Sequence, residues 1–121
     1  MKPLLKKDIE SFLKRFESFV DSELRSINII SPSIVKITLA TQDSARGFDW
    51  ITLELEFNGI SDAKLVENSK LVHVDMSDGV SLIFADNQFT FAISCYNSAS
   101  NITNSICYIK ATSIKYIEGL F

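Results

Sequence analysis

Histidine and tryptophan occur once each in this chain, cysteine and proline twice each, and glycine four times. Each scarcity removes a class of function. His73, Cys95 and Cys107 provide neither a Cys-x-x-Cys pair nor the spacing that holds zinc, so no metal site is expected. The glycines at 47, 59, 79 and 119 stand singly, and no glycine-rich loop is present to cradle a phosphate. No apolar run approaches the ~18–20 residues that span a bilayer. Met1-Lys2-Pro3 opens into charged residues rather than the apolar stretch of a signal peptide. The expectation is a cytoplasmic chain with no cofactor and no membrane partner. In that compartment two buried thiols acting as small apolar side chains are favoured over a disulfide.

What the chain does contain suits one folded domain spanning residues 1–121. Its 46% apolar and 22% charged residues are ordinary for a globular protein. Nine Phe against three Tyr point to a core of rings that need no hydrogen-bond partner. The net charge of −3 is unevenly spread. Between Asp43 and Asp86 nine acidic residues face only Arg46, Lys64 and Lys70. That balance argues against nucleic acid, whose phosphates need clustered Lys and Arg. It suits a basic partner, or simply a solvated outer sheet face.

Residues 8–25 carry apolar side chains at helical spacing: Ile9, Phe12, Leu13, Phe16, Phe19, Val20 and Leu24. This predicts an amphipathic helix with Asp8 as N-cap. Residues 26–117 read as β structure. Ser26–Ile30 and Ile34–Thr41 flank a turn at Ser31-Pro32-Ser33, and Gln42 to Gly47 is a polar loop. The run Phe48–Phe57 follows, with Ile51, Leu53, Leu55 and Phe57 on one side and Phe48, Trp50, Thr52, Glu54 and Glu56 on the other. It is the clearest strand of the chain.

Asn58-Gly59 signals a type I′ hairpin. A two-residue loop there would set Asp62 and Lys64 on the apolar face. Either a bulge shifts the register, or the chain diverges after Ile60. Residues 61–70 are expected to form a short edge strand and a loop. Leu71–Met76, Val80–Ala85 and Phe89–Tyr96 form a meander with turns at Ser77-Asp78-Gly79 and Asp86-Asn87-Gln88. A hairpin centred on Asn101 then pairs Cys95 with Cys107 and Ile93 with Ile109. The last strand, Ser105–Ile117, changes parity near Thr112-Ser113, which suggests a bulge. The fold class is α+β: an N-terminal helix packed on a curved, mostly antiparallel sheet of seven to eight strands. Short connections exclude parallel βαβ units.

Candidate chemistry is sparse. His73 with Asp75 or Asp78 would make an acid–base pair, although a partly exposed strand histidine is the simpler reading. Glu54 and Glu56 sit two strand rises apart on one face, a spacing reminiscent of a retaining glycosidase, but no cleft is implied. Inward positions are overwhelmingly Val, Ile, Leu and Phe, so no catalytic residues are assigned. What remains is a surface. Trp50 beside Glu54 and Glu56, with Asp62, Asp75 and Asp78 completing the acidic region, is the candidate partner-binding set.

The order of helix, strand hairpin and meander, around Trp50-Ile51-Thr52-Leu53-Glu54-Leu55-Glu56-Phe57-Asn58-Gly59-Ile60-Ser61-Asp62, resembles small bacterial immunity-type proteins of toxin–immunity loci. The likeness spans residues 26–117. It implies a non-enzymatic protein that blocks a cognate toxin, the acidic stretch facing a basic toxin domain. Two other readings stand beside it. One is a small-molecule-binding or enzymatic cone, in which a helix lies across a curved sheet and encloses a pocket. The other is a homodimeric structural or adaptor protein using an exposed strand edge near Tyr108 and Tyr116.

Overall fold

The computed structural model describes all 121 residues, Met1–Phe121. Seven strands form one antiparallel sheet: β1 (Lys2–Leu4), β2 (Glu23–Ser31), β3 (Ile34–Asp43), β4 (Asp49–Lys64), β5 (Val80–Ala85), β6 (Gln88–Ile93) and β7 (Tyr108–Leu120). Their spatial order is β2-β3-β4-β7-β6-β5, with β1 beside the second half of β7. The sheet is open, and one short helix, α1 (Ile9–Arg15), lies against it. The expected α+β class, a helix on a curved antiparallel sheet, is the observed one. No helix is long and apolar enough to cross a membrane.

The helix is much shorter than the expected 8–25. It ends at Arg15, a 3₁₀ turn covers Glu17–Phe19, and β2 begins at Glu23. Glu17, Ser18, Phe19 and Asp21 all take positive φ. Ser18, Asp21 and Ser22 are weak helix formers that compete for backbone groups. Here the Ser22 hydroxyl donates to Thr41 Oγ1 at 2.7 Å. The apolar stripe survives as packing: Phe12, Phe16 and Phe19 are all buried, and the rings of Phe16 and Phe19 stack at 5.3 Å. Leu24 satisfies helical spacing and strand alternation alike, which is why the periodicity overran. Asp8 stands at the N-cap position but makes no side-chain capping bond.

β3 and β4 pair as their alternation requires, Val35 with Phe57, Ile37 with Leu55 and Leu39 with Leu53. All six of these side chains are buried. The hairpin expected at Asn58-Gly59 does not form. β4 continues for 16 residues to Lys64, and the expected 61–70 edge strand is partly its extension. Its partner beyond this point is β7, from Asp62 opposite Lys110 to Lys64 opposite Tyr108.

Gly59 has φ +68°, and a Cβ there would run into Thr112 Oγ1, whose hydroxyl donates to the Asn58 carbonyl. On one side of this step Phe57 and Ile114 face the core; on the other, Ile60 and Ala111 do. The parity change anticipated near Thr112-Ser113 is therefore shared by the facing strand. A register shift follows between Ile60 and Asp62.

Leu71–Met76 is not a strand. Asn68–His73 forms a 3₁₀ turn packed beside β2. Asn68 acts as a one-residue strand there: its Oδ1 accepts from the Ile27 amide and its Nδ2 donates to the Ile27 carbonyl, each at 2.9 Å. That occupies the edge of β2 where another strand would pair. The meander is instead β5-β6-β7. The β5–β6 turn is Asp86-Asn87 alone, both at positive φ, a two-residue hairpin loop one residue shorter than expected because Gln88 already pairs with Ala85 as the first residue of β6. In the β6–β7 hairpin the register is displaced by two residues from the Asn101-centred pairing: Phe91 meets Ile109 and Phe89 meets Ala111. Cys107 therefore bonds across to Ile93, its carbonyl accepting the Ile93 amide at 3.0 Å. Cys95 lies beyond the strand and is exposed, Cys107 is buried, and both are free thiols.

Candidate functional site

The two faces of the sheet are finished differently. On the inner face α1 and the Phe16–Phe19 turn close over the strands. The space between helix and sheet is a void of about 10 Å³ lined only by apolar side chains, among them Phe12, Leu55, Leu82 and Ile114. That is at the ~10–15 Å³ lower limit for holding one water, and no polar group is present to bind it.

On the outer face the loop between β6 and β7 folds back over one half. Ile102 packs there on Ala92 and Tyr108, with Ile83 and Tyr96 beside them. The other half, over β2, β3, β4 and β7, is left bare. Register and alternation set its rows. Gln42 neighbours Trp50, whose indole lies 5.7 Å from the ring of Phe121. Below come Thr52 beside Gly119, Glu54 beside Ile117, and Glu56 beside Lys115. Lys36 flanks Glu56 from β3. Trp50, Ile117 and Phe121 keep 40%, 48% and 62% of their surfaces exposed. Arg25 reaches over the Phe121 ring from the β2 side, 5.0 Å from its centre, while bound to Glu23.

The residues expected to bind a partner fall into three places. Trp50, Glu54 and Glu56 do share the outer face of β4. Glu54 pairs with Lys36 Nζ at 3.5 Å, and Glu56 accepts from Asn58 Nδ2 at 3.2 Å. Asp62 lies past the bulge and accepts a hydrogen bond from the Tyr108 hydroxyl at 3.0 Å, which holds that phenol's pKa above its ordinary value. Asp75 and Asp78 belong to a turn on another flank, with Ser94, Tyr96 and Asn104. Asp75 accepts from the Ser77 amide, and this bond keeps its pKa low. The acidic stretch is thus no single surface, and on the bare half Lys36 pairs with Glu54 while Lys115 stands opposite Glu56 in the register. Phe48, expected on the same face, sits in the turn before β4 at φ 66°.

His73 is exposed on its 3₁₀ turn, and neither Asp75 nor Asp78 accepts a hydrogen bond from it. No group of three or more His, Cys, Asp or Glu side chains is arranged to hold a metal ion. Burial pushes the Cys107 thiol up to about 11, so it is no nucleophile at neutral pH.

One polar cluster escaped the sequence reading. Arg15, at the end of α1, forms a two-pronged pair with the fully buried Asp43 of β3: Nε to Oδ1 at 2.9 Å and Nη2 to Oδ2 at 2.7 Å. Arg46 approaches Asp43 at 3.5 Å, and Glu118 of β7 takes Arg15, Arg46 and Lys2 at 3.6–3.8 Å. The bond from Arg15 holds the Asp43 carboxyl below its usual pKa despite burial. The cluster ties helix to sheet. Its signal was available: the inward alternation of Val35, Ile37 and Leu39 continues through Thr41 to Asp43, which must then find a cation. Phe121 lies beyond Ile117, where the sequence pattern ends the final strand, whereas β7 runs on to Leu120.

Comparison with protein-family models, with curated proteins and with solved structures finds no match for this chain.

Proposed function

We propose that this chain is a protein-binding domain that does no chemistry of its own and works through the bare half of its outer sheet face. The observation that carries the reading is the contrast between the two faces. The inner face is filled with apolar side chains, whereas the outer one presents Trp50, Ile117 and Phe121 to solvent amid paired charges. Exposed aromatic side chains flanked by charged ones are typical of docking surfaces, where aromatic residues are enriched. The exposed free thiol of Cys95 suits a reducing, cytoplasmic setting. Blocking a toxin, as the resemblance to immunity-type proteins implies, is one use of such a face. Its charge argument is weakened by Lys36 and Lys115, because they leave little acidic surplus for a basic toxin to meet.

The test is co-purification of the tagged chain from its native host, wild type beside Trp50→Ala. The variant should unfold cooperatively with stability within about 1 kcal/mol of wild type, as surface substitutions do, yet lose the bound protein. Retention of the partner by Trp50→Ala would reject this face, and collapse of the fold would show Trp50 to be structural.

A further inference from the structure

We propose that the occupant of the bare half-face is a second copy of this chain, packed sheet on sheet about a two-fold axis running parallel to β4 and β7 and between them. The inference rests on the reading of that face as a docking surface and names its partner. The first argument is charge. Glu23, Glu54 and Glu56 are set among Arg25, Lys36 and Lys115, equal numbers of each sign. A strongly basic or acidic partner gains no net attraction from such a surface. A surface that contains its own complement suits a copy of itself.

The second argument is register. Rotation about that axis lays β4 of one copy over β7 of the other and keeps each residue at its own level along the strands. The pairs adjacent within one chain then recur across the interface. Trp50 comes to lie over Phe121 of the other copy, Thr52 over the small Gly119, Glu54 over Ile117, and Glu56 over Lys115. The aromatic pair closes on itself at one end, and two Glu56–Lys115 ion pairs form at the other. Isologous two-fold contacts have this reciprocity. Aligned sheets pack about 10 Å apart and cross at about −30°, so the rows nearest the axis stay in contact.

The third argument is size. Four strands spaced ~4.8 Å apart, over four rows ~6.8 Å apart, project roughly 500 Å². With the relief of the side chains this approaches the ~800 Å² that each partner contributes to a standard interface. The loop carrying Ile102 already seals the rest of the outer face, so a second copy would complete its cover.

The test is the mass of the intact chain in solution, measured by sedimentation from low to high micromolar concentration. It is followed by a mixing experiment with Glu56→Lys and Lys115→Glu. The wild type should sediment at twice the chain mass. Each variant alone sets like charges against each other twice and should dimerise at least tenfold more weakly, a loss of about 1.4 kcal/mol. Mixed, the two variants restore both opposite-charge contacts and should form a one-to-one heterodimer, resolved by native mass spectrometry on differently tagged chains. Intrachain rescue cannot produce that result, because each chain keeps its own mismatch.

A measurement free of variants uses the only tryptophan. Acrylamide quenching of Trp50 should rise as the wild type is diluted from dimer to monomer. A chain that stays monomeric throughout, a dimer indifferent to both reversals, variants that do not combine, or quenching independent of concentration would each overturn the second-copy proposal. Failure of the underlying docking reading is seen separately, in a co-purified protein that Trp50→Ala still retains.

Discussion

Replacing Gly59 by Ala tests the step at which β4 and β7 change their inward side together. Gly59 holds φ +68° in the middle of a paired strand, and an added Cβ would overlap Thr112 Oγ1. An L-residue in the left-handed region costs about 1–2 kcal/mol. Moving the Thr112 side chain aside breaks its hydrogen bond to the Asn58 carbonyl, worth about 1 kcal/mol. Against these stands a gain of about 0.4–1 kcal/mol, because Ala narrows the unfolded ensemble. The net loss should be about 2 kcal/mol, read by urea unfolding followed with far-UV circular dichroism.

Thr112→Ala isolates the steric part. Alone it should cost about 1 kcal/mol for the lost hydrogen bond. Combined with Gly59→Ala it removes the overlap, so the double variant should be more stable than the sum of the single losses predicts by about 1 kcal/mol. A Gly59→Ala chain within about 0.5 kcal/mol of wild type, or strictly additive losses, would refute this account of the step.

Three further outcomes follow from the same geometry. Asp43→Asn leaves Arg15 only the 3.7 Å contact to Glu118 and should cost about 2–3 kcal/mol near neutral pH, below the range for a fully buried pair because Arg15 is partly exposed. The folded pKa of Asp43 is depressed, so its contribution is full above the ordinary carboxylate value and disappears as pH falls through the folded value; urea midpoints of the Asn variant should therefore decline less than wild type below about pH 4. Asn68→Ala removes both hydrogen bonds to Ile27 and should lower stability by about 1–2 kcal/mol. Exchange of the Ile27 amide should accelerate more than that of its neighbours, and unchanged protection would show that the edge of β2 is guarded by something else. A thiol reagent at mildly alkaline pH should label the exposed Cys95 in the native chain and reach Cys107 only after unfolding; two fast labels per native chain would contradict the assigned register.

Much of the architecture was legible because burial imposes a period. Ile51, Leu53, Leu55 and Phe57 alternate over a stretch too long for accident, and the alternation of β3 matches it. The Phe12, Phe16 and Phe19 stripe was equally plain as a buried set, although only its first turns are helical. The outer face of β4, with Trp50, Glu54 and Glu56, followed from the same parity. Asp62, Asp75 and Asp78 could not be grouped or separated in this way, since their relation depends on a bulge and on a turn with no periodic signal. The Cys95–Cys107 pairing kept the right parity and missed the register by two residues. Alternation repeats every two residues and cannot distinguish the two alignments.

By itself, then, the sequence determined which side chains go inward and that they do so on strands beneath a leading amphipathic segment, because an apolar period needs no knowledge of a partner. Tertiary structure alone decided who pairs with whom. Asn58-Gly59 is compatible with a tight hairpin and with a kink in a continuing strand, since both require positive φ at glycine. The presence of β7, some fifty residues further along, selected the kink. Backbone hydrogen bonds carry no side-chain label, so strand order, the Asn68 seal on β2 and the bare half of the outer face emerge only when the whole sheet is assembled.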